Sequence, residues 1–339
     1  MNIDERVIRP QDAVEWFKHR SYHHGAFSGV AALARRKREL GLSVSLVLPC
    51  RNVADTVGGI LDKIHAVNER TPLNSPLIDQ ILAVDADSRD GTAEVAASKG
   101  AEVYSENELM PNLGGAHGKG DAMWRSLSVA TGDLIMYVDA DTRDFEPQFV
   151  YGILGPILSV PQVRFVKAAF RRPFKSHETV EVDGGGRVTE LSAKPLLNLF
   201  YPELSGFVQP LAGEFVADAE LFRSIPFMTG YAVEMSVMID VLKKVGLGAM
   251  AQVDLGARQN RHQPLRDLSR MSYAVLRAVA RRLRQDGRLN QARDPNLPDD
   301  LFQLSDYHHA VATPEGLRIQ GYVEELVERP PMAEIMRVR

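Results

Sequence analysis

The sequence predicts an α/β fold built on a Rossmann-like, mostly parallel sheet. Three apolar runs in the first half, at 44–49, 78–84 and 134–138, have the length and bulky composition of strands that are covered on both faces. Helical stretches separate these runs, and a strand–helix–strand order places consecutive strands in parallel. Ligands of such sheets bind outside the carboxyl ends of the strands, so the residues that follow each apolar run are the first candidates for a functional site.

The other elements are predicted from periodicity and from turn residues. Residues 1–40 form a polar, helical lead-in, and the apolar spacing at 265–283 predicts an amphipathic helix with an arginine-bearing wet face. Beyond residue 286 the chain is predicted to be loop-like. Helices are expected at 55–66, 93–98, 122–129, 147–158, 184–200 and 219–225, and a further helix follows 230–234 and ends at 245. Strands are expected at 102–104, 163–169 and 250–255, and a hairpin or loop is expected at 175–183.

Length and composition limit the classes of function. The 339 residues carry a net charge of −4, which argues against general nucleic-acid binding. The single cysteine, Cys50, excludes an intrachain disulfide and fits a reducing compartment. The segment 1–6 carries acid where a signal peptide would carry positive charge, and no apolar run reaches membrane-spanning length. We therefore expect a cytoplasmic protein with neither a nucleic-acid nor a membrane partner.

Two carboxylates follow the apolar run at 134–138. Side chains alternate along an extended segment, so Asp139 and Asp141 point to one side while Ala140 points away. Two hard oxygen ligands in this arrangement can hold a divalent cation that also grips a diphosphate. The alternative is that the pair only caps the strand or the following turn. The neighbouring motifs favour the cation-binding interpretation.

Polar residues also follow the other predicted strands. Pro49-Cys-Arg-Asn52 follows the first strand, and Asp85 and Asp87 follow the second. Lys119 lies in the glycine-rich segment 112–120 before a helix, where it is either a plain surface lysine or a phosphate ligand. The strand-end motifs fall on the predicted ligand-binding edge of the sheet.

In their order along the chain, these motifs resemble those of glycosyltransferases of the GT-A fold. Motifs of the second half resemble those of glycosyltransferase family 81, the glucosyl-3-phosphoglycerate and mannosyl-3-phosphoglycerate synthases. With the first half included, this resemblance spans about residues 44–285. The motifs that carry this likeness are Gly184-Gly-Gly-Arg-Val-Thr-Glu-Leu191, Gln209-Pro-Leu-Ala-Gly-Glu-Phe215, Gly230-Tyr-Ala-Val-Glu234 and Ala251-Gln-Val-Asp-Leu-Gly256.

The resemblance implies a metal-dependent transfer of a hexose, with retention, from a nucleotide diphosphate sugar to the 2-hydroxyl of 3-phosphoglycerate. The metal is Mg²⁺ or Mn²⁺. The resemblance also implies a GT-A fold with a nucleotide-sugar-binding half at 41–160, an elaborated acceptor-binding half at 161–290 and a C-terminal extension at 291–339. The long C-terminal helix and the tail are natural elements of a homodimer.

The family's functional positions can be transferred to this sequence one by one. The implied catalytic positions are Asp139, Asp141, Leu211 and Glu234. The implied nucleotide-sugar ligands are Pro49, Cys50, Arg51, Asn52, Asp85, Asp87, Lys119, Asp139, Ala140, Tyr231 and Glu234. The implied acceptor ligands are Gly186, Arg187, Thr189 and Asn260, and the implied metal ligands are Asp141 and His262.

The sequence departs from the glucosyl enzymes at three places. Val53 follows Asn52 where their loop usually has glutamate, and Asp87 replaces a small residue. This altered base pocket favours GDP-mannose, with a glucosyl donor carrying UDP or GDP as the alternative. The family's metal histidine corresponds to Asn260, so His262 is predicted to have exchanged roles with it.

The acceptor segment fits a ligand that carries a phosphate and a carboxylate. Glycines that lead into a helix expose backbone N–H groups, and Arg187 with Thr189 adds a guanidinium fork and a hydroxyl. A hinge with an N-cap is the structural alternative. For retention, a double displacement needs a carboxylate on the far face of the sugar, and the sequence identifies none. The resemblance implies the alternative, a front-face attack near the backbone of Leu211 and Ala212 in which the leaving diphosphate accepts the proton, and we favour this route.

Two other classes remain as alternatives. A sugar nucleotidyltransferase shares the sheet and the metal carboxylates, but it should have a glycine-rich loop after the first strand, and Pro49-Cys-Arg-Asn52 contains no glycine. A non-catalytic nucleotide-sugar-binding module is expected to have lost the metal pair or the acceptor segment, and both are present here.

Overall fold

The computed structural model describes residues 10–72, 75–176, 179–181, 185–258, 264–289, 306–313, 316–323 and 326–337. Its strands are β1 (Ser21–His23), β2 (Val44–Cys50), β3 (Gln80–Asp85), β4 (Glu102–Ser105), β5 (Leu134–Tyr137), β6 (Phe165–Arg171), β7 (Phe174–Ser176), β8 (Thr179–Glu181), β9 (Phe215–Asp218), β10 (Phe227–Met228), β11 (Met250–Ala257), β12 (Asp306–Thr313), β13 (Gly316–Val323) and β14 (Glu328–Arg329). Its helices are α1 (Pro10–Arg20), α2 (Val30–Glu39), α3 (Ala54–Glu69), α4 (Thr92–Ser98), α5 (Lys119–Ser126), α6 (Gln148–Ser159), α7 (Lys194–Phe200), α8 (Ala219–Arg223), α9 (Val233–Val245), α10 (Leu265–Gln285) and α11 (Met332–Arg337).

Eight strands form one central sheet in the order β1-β11-β6-β9-β5-β2-β3-β4. Neighbouring strands are parallel throughout, except that β9 runs antiparallel to both β5 and β6. The helical connections between β2, β3, β4 and β5 are the crossovers that parallel pairing requires. The predicted α/β class with a mostly parallel sheet is confirmed.

Helices cover both faces of the sheet and produce two cores. On β2, Val47 joins the cluster that includes residues of α5, α9 and α10, whereas Leu46 and Leu48 join the cluster that includes residues of α2, α3 and α6. All three side chains are completely buried. Burial on both faces explains why this strand is a continuous apolar run rather than an alternating one.

The reversed strand β9 determines which residues meet at one edge of the sheet. Because β9 is antiparallel to β5, its first residue, Phe215, pairs with Tyr137 at the end of β5. The segment 209–214 therefore arrives at the edge from which the chain continues to Asp139. Strands β6 and β11 are parallel and end together, so the residue after β11 reaches this edge as well.

Several predicted elements differ from the observed ones. The strands β1 and β9 were not predicted. The prediction of a loop-like chain beyond residue 286 is wrong, because β12 pairs with β13, β14 pairs with β10, and α11 follows. The segment predicted as a hairpin or loop contains the hairpin β7–β8. A π-helical turn, Thr189–Ala193, precedes α7. Within the described ranges, no helix is long and apolar enough to cross a membrane.

Candidate active site

A lysine joins two carboxylates at the carboxyl edge of the sheet. Lys119 is the first residue of α5, and its Nζ lies 2.5 Å from Oδ1 of Asp139 and 2.6 Å from Oε1 of Glu234. Asp139 follows β5, and Glu234 lies in the first turn of α9. Three residues that the sequence predicted separately therefore form one contiguous group.

An arginine that sequence reasoning missed joins the carboxylates from the other side. Nη2 of Arg258, directly after β11, lies 3.1 Å from Oδ2 of Asp139 and 3.6 Å from Oδ1 of Asp141. Its Nη1 donates a hydrogen bond to Glu214, and both side chains of that pair are completely buried. The sequence signal for this residue is a basic side chain directly after a strand, at the edge where the carboxylates lie.

Charge, rather than burial, decides the ionisation of this group. Burial disfavours the carboxylate form of Asp139, but the Lys119 ammonium and the Arg258 guanidinium outweigh it and hold the pKa of Asp139 below its usual range. Burial also opposes the charge of Lys119, yet Asp139 and Glu234 raise its pKa. Lys119 is consequently a fixed cation and Asp139 a fixed anion.

A fully buried lysine, Lys167, stabilises the turn in front of β9. Lys167 lies on β6, and its Nζ donates a 2.7 Å hydrogen bond to the carbonyl of Ala212 and lies 4.6 Å from the ring centroid of Phe215. The turn itself is closed by a 3.0 Å hydrogen bond from the Ala212 amide to the Gln209 carbonyl. Burial lowers the pKa of Lys167 to about 7. No pattern in the sequence indicates a role for a lysine inside an apolar strand.

Gly213 lies against the ion pair. A Cβ at this position would overlap the carboxylate of Asp139 and the ammonium of Lys119. The glycine therefore permits the 209–214 segment, with the half-buried Leu211, to approach the predicted donor site closely.

Asp141 is the carboxylate at this edge that remains open to a cation. Its side chain is 59% exposed, whereas both oxygens of Asp139 contact cationic side chains. Carboxylate oxygen suits Mg²⁺ or Mn²⁺, so Asp141 fits one position of a metal shell. Within the described residues, no cluster of three or more metal-binding side chains occurs. The predicted partners Asn260 and His262 lie outside the described residues.

Hydrogen bonds join the loop after β2 to the loop after β3. Asn52 has a φ of 51°, its amide donates to Oγ of Ser88 at 2.8 Å, and its Oδ1 accepts from the Arg89 amide at 3.0 Å. Asp85 accepts from the Ser88 amide through Oδ2 at 2.9 Å, while its buried Oδ1 has no hydrogen-bond partner in the described structure. Asp87, at a φ of 50°, accepts a 2.7 Å hydrogen bond from Nδ2 of Asn107.

The remaining predicted nucleotide residues lie at the same edge but differ in exposure. Burial raises the pKa of the Cys50 thiol to about 12, and this side chain packs in the core, so that a ligand could meet only its backbone. Ala140 is also buried, and its carbonyl accepts a 2.6 Å hydrogen bond from Thr56. Pro49 is half-buried and Arg51 is exposed.

One guanidinium group, that of Arg187, lies within the predicted acceptor segment, and a second, that of Arg172, lies beside it. Gly186 has a φ of 73°, and its carbonyl accepts the Glu190 amide at 3.0 Å; Arg187 is half-buried and Thr189 is buried. Arg172, which the sequence did not identify, lies beside this segment, because its carbonyl accepts the Gly185 amide at 2.9 Å.

The ring of Phe170 joins the acceptor side to the carboxylate cluster. The guanidinium carbons of Arg172 and Arg258 lie 5.2 and 5.3 Å from its centroid. Nε of Arg172 is buried without a hydrogen-bond partner in the described part of the chain. The predicted acceptor side is therefore rich in positive charge.

Comparisons with known proteins identify relatives of this chain. The family model described as Glycosyl transferase family 2 matches residues 45–162. The glucosyl-3-phosphoglycerate synthase of Petrotoga mobilis is 38% identical over 93% of this chain and 94% of its own length. The mannosyl-3-phosphoglycerate synthase of Rubrobacter xylanophilus, a solved structure, is 75% identical, with a TM-score of 0.87 over 95% of this chain and 99% of the other. The chain belongs to the glucosyl- and mannosyl-3-phosphoglycerate synthase family.

A further member of this family has been solved with ligands. The structure of glucosyl-3-phosphoglycerate synthase from Mycobacterium tuberculosis in complex with Mn²⁺, UDP and phosphoglyceric acid is 33% identical to this chain. Its TM-score is 0.75, over 90% of this chain and 95% of the other. The predicted GT-A glycosyltransferase fold and the family assignment are thereby confirmed.

We expect Gly213→Ala to reduce turnover strongly, by about 100-fold or more, because the new methyl group displaces the Lys119–Asp139 pair from its position. Steady-state kinetics, with near-ultraviolet circular dichroism to verify folding, measures this effect. The matched control is Gly248→Ala, whose added Cβ has open space around it. Equal activities for the two variants would show that the close approach of Gly213 is unimportant.

We expect Lys167 to make stability depend on pH above neutrality. Its pKa is about 7 in the folded protein and 10.5 ordinarily, so between these values the unfolded chain binds more protons and the free energy of unfolding rises with pH. Lys167→Met should remove this rise, which cannot exceed about 1.4 kcal/mol per pH unit. Urea unfolding at pH 7, 8, 9 and 10 tests this, with the exposed Lys244→Met as the control. Parallel pH curves for wild type and Lys167→Met would contradict it.

Proposed function

We propose that the protein is a mannosyl-3-phosphoglycerate synthase, which transfers mannose from GDP-mannose to the 2-hydroxyl of 3-phosphoglycerate. The observation that carries this proposal is the Lys119–Asp139–Glu234 group at the strand edge, flanked on the acceptor side by Arg172 and Arg258. Together they offer separate sites for a diphosphate sugar and for an anionic acceptor. The 75% identity to the Rubrobacter synthase supports mannose as the sugar.

The donor is proposed to lie along the strand edge. The Lys119 ammonium faces the diphosphate, and Glu234 with Tyr231 contacts the sugar hydroxyls. Asp141, with His262, would hold Mg²⁺ or Mn²⁺, which when bound neutralises charge on the departing diphosphate. The relative from Mycobacterium tuberculosis was solved with Mn²⁺ and UDP, which supports a divalent cation here.

Two carboxylates support a guanine base over a uracil base. Guanine presents the adjacent donors N1–H and N2–H₂, whereas uracil presents the single donor N3–H. Asp85, the last residue of β3, has a buried oxygen that lacks a partner within the described residues, and Asp87 lies two positions later in the loop that follows. A pair of acceptors therefore favours GDP, as proposed from the sequence.

The acceptor is proposed to bind where the cationic groups converge. Its phosphate and carboxylate would meet Arg187, Thr189 and the backbone at Gly186, together with Asn260. Arg172 adds a further charge, since its buried Nε has no described partner. This assignment keeps the acceptor next to the 209–214 turn.

We propose a front-face reaction. The 2-hydroxyl oxygen bonds to the anomeric carbon as the bond to the diphosphate oxygen breaks on the same face, and the hydroxyl proton passes to the departing diphosphate. Leu211 and Ala212, supported by Lys167, line the anomeric carbon. The neighbouring carboxylates are already engaged, since Glu214 is buried against Arg258 and Glu234 contacts Lys119.

A glucosyl-3-phosphoglycerate synthase is the second candidate, because the relative from Petrotoga mobilis carries that name. Assays of the purified protein with GDP-mannose, GDP-glucose and UDP-glucose, each with 3-phosphoglycerate and Mg²⁺, discriminate the two. We expect the highest kcat/KM with GDP-mannose. Preference for UDP-glucose would replace the first candidate by the second, and an absence of turnover with every donor would refute both.

Substitutions should separate the two halves of the site. Asp141→Ala should lower kcat about 100-fold or more, whereas Asp62→Ala, a change at an exposed carboxylate, should not.

Arg187→Ala should raise the KM for 3-phosphoglycerate about 10- to 100-fold, since a hydrogen bond to a charged group is lost. An unchanged acceptor KM in Arg187→Ala would show that the acceptor binds elsewhere.

A further inference from the structure

The C-terminal segment 326–330 packs against the elements that carry the donor residues. The Val327 amide donates to Oγ1 of Thr229 at 2.9 Å, and the Thr229 amide donates to the Val327 carbonyl at 2.9 Å. Glu328 accepts hydrogen bonds from Arg281 and Arg282 of α10. These contacts fix the segment beside the turn that leads into α9.

The next residue, Arg329, reaches from this segment into the glycine-rich loop 112–118. Its Nη1 donates to the Leu113 carbonyl at 2.9 Å, and its Nη2 donates to the Gly115 carbonyl at 3.2 Å. The guanidinium also forms a bidentate pair with Asp121 of α5, at 2.9 and 2.7 Å. Arg329 is only 9% exposed and lies over the ring of Trp124.

A second buried arginine, Arg125 of α5, donates hydrogen bonds to the same loop. Nη2 of Arg125 donates to the carbonyls of Gly114 and Gly115 at 2.6 and 3.2 Å. Asp121 completes the arrangement, because its Oδ2 also accepts the His117 amide at 3.0 Å. Successive carbonyls of a segment with little side-chain bulk are therefore fixed by two guanidinium groups.

The loop determines where Lys119 lies. Gly118 has a φ of 74°, and α5 begins at the next residue. The His117 carbonyl accepts the Gly230 amide at 3.1 Å, which joins the loop to the turn that carries Tyr231. A displacement of the loop would thus move the ammonium of Lys119 and the Tyr231 turn together.

We propose that Arg329 is a positioning residue for donor binding, which holds the glycine-rich loop so that Lys119 faces the nucleotide diphosphate. This inference rests on the donor role of Lys119 in the proposed function. The planar fork of arginine spans two carbonyls and a carboxylate at once, and a lysine ammonium in the same place cannot. The segment beyond residue 291 therefore contributes to donor affinity without touching the donor.

Kinetics of Arg329→Met and Arg329→Lys test this role. Both variants should raise the KM for the nucleotide sugar about 10-fold, with the KM for 3-phosphoglycerate within about twofold of wild type. The control is Arg281→Met, which removes a contact between α10 and Glu328 of the same C-terminal segment. None of the described hydrogen bonds of Arg281 reaches the loop 112–118. It should leave the donor KM unchanged. A proportional rise of both KM values, or an equal donor effect in Arg281→Met, would reduce Arg329 to a merely structural role.

Two further measurements do not depend on turnover. Calorimetric titration with GDP and with UDP should show weaker binding to Arg329→Lys than to wild type, even if the sugar specificity proposed above is wrong. Hydrogen exchange should be faster in the 112–118 amides of Arg329→Lys, with unchanged protection in α3. Unaltered loop exchange together with unaltered nucleotide affinity would overturn the proposal, whatever the outcome of the donor assays.

Discussion

The structure of the site depends on a chain of alternating charges that are buried or half-buried. Glu214, Arg258, Asp139, Lys119 and Glu234 alternate in sign, and each contacts the next. Removal of a single member of a buried pair leaves an uncompensated charge, which typically costs about 3–5 kcal/mol. This chain of contacts also sets the positions of Asp141, the proposed metal ligand, and of the 209–214 turn, which is proposed to face the sugar.

The topology of the sheet is what brings these charges together. A fully parallel sheet would deliver only strand ends to the carboxyl edge. The reversal of β9 delivers the beginning of a strand there, so that Gly213 and Glu214 lie beside Asp139. The parallel end of β11 supplies Arg258. In the proposed function, the donor surface and the acceptor surface share Asp139 and Arg258 at their boundary.

Sequence reasoning was most reliable where burial is strongest. The continuous apolar runs located β2, β3 and β5, and the alternation with helices gave the parallel pairing. The carboxylates after β5 were located for the same reason. Lys119 and Glu234 were assigned by resemblance, and the structure explains their proximity through the contact of α5 with the start of α9.

The missed features are those that depend on distant partners. Strand β9 has four residues, and its direction is set by pairing with β5 and β6 rather than by its own composition. The side chains of Lys167 and Arg258 are held in place by carbonyl and carboxylate groups that lie far away in sequence. The stretch 326–331 contains two prolines and polar residues typical of loops, and it is held in place by the contacts of Arg329 and Glu328.

A double-mutant cycle on Arg258→Met and Glu214→Gln tests the central role of the buried charge chain most directly. The quantity measured is the free energy of unfolding at pH 8, for wild type, both single variants and the double variant. Because each single change leaves a buried group without its partner, we predict a coupling energy of about 1–3 kcal/mol between the two positions. Effects that add to within about 0.5 kcal/mol would contradict the account.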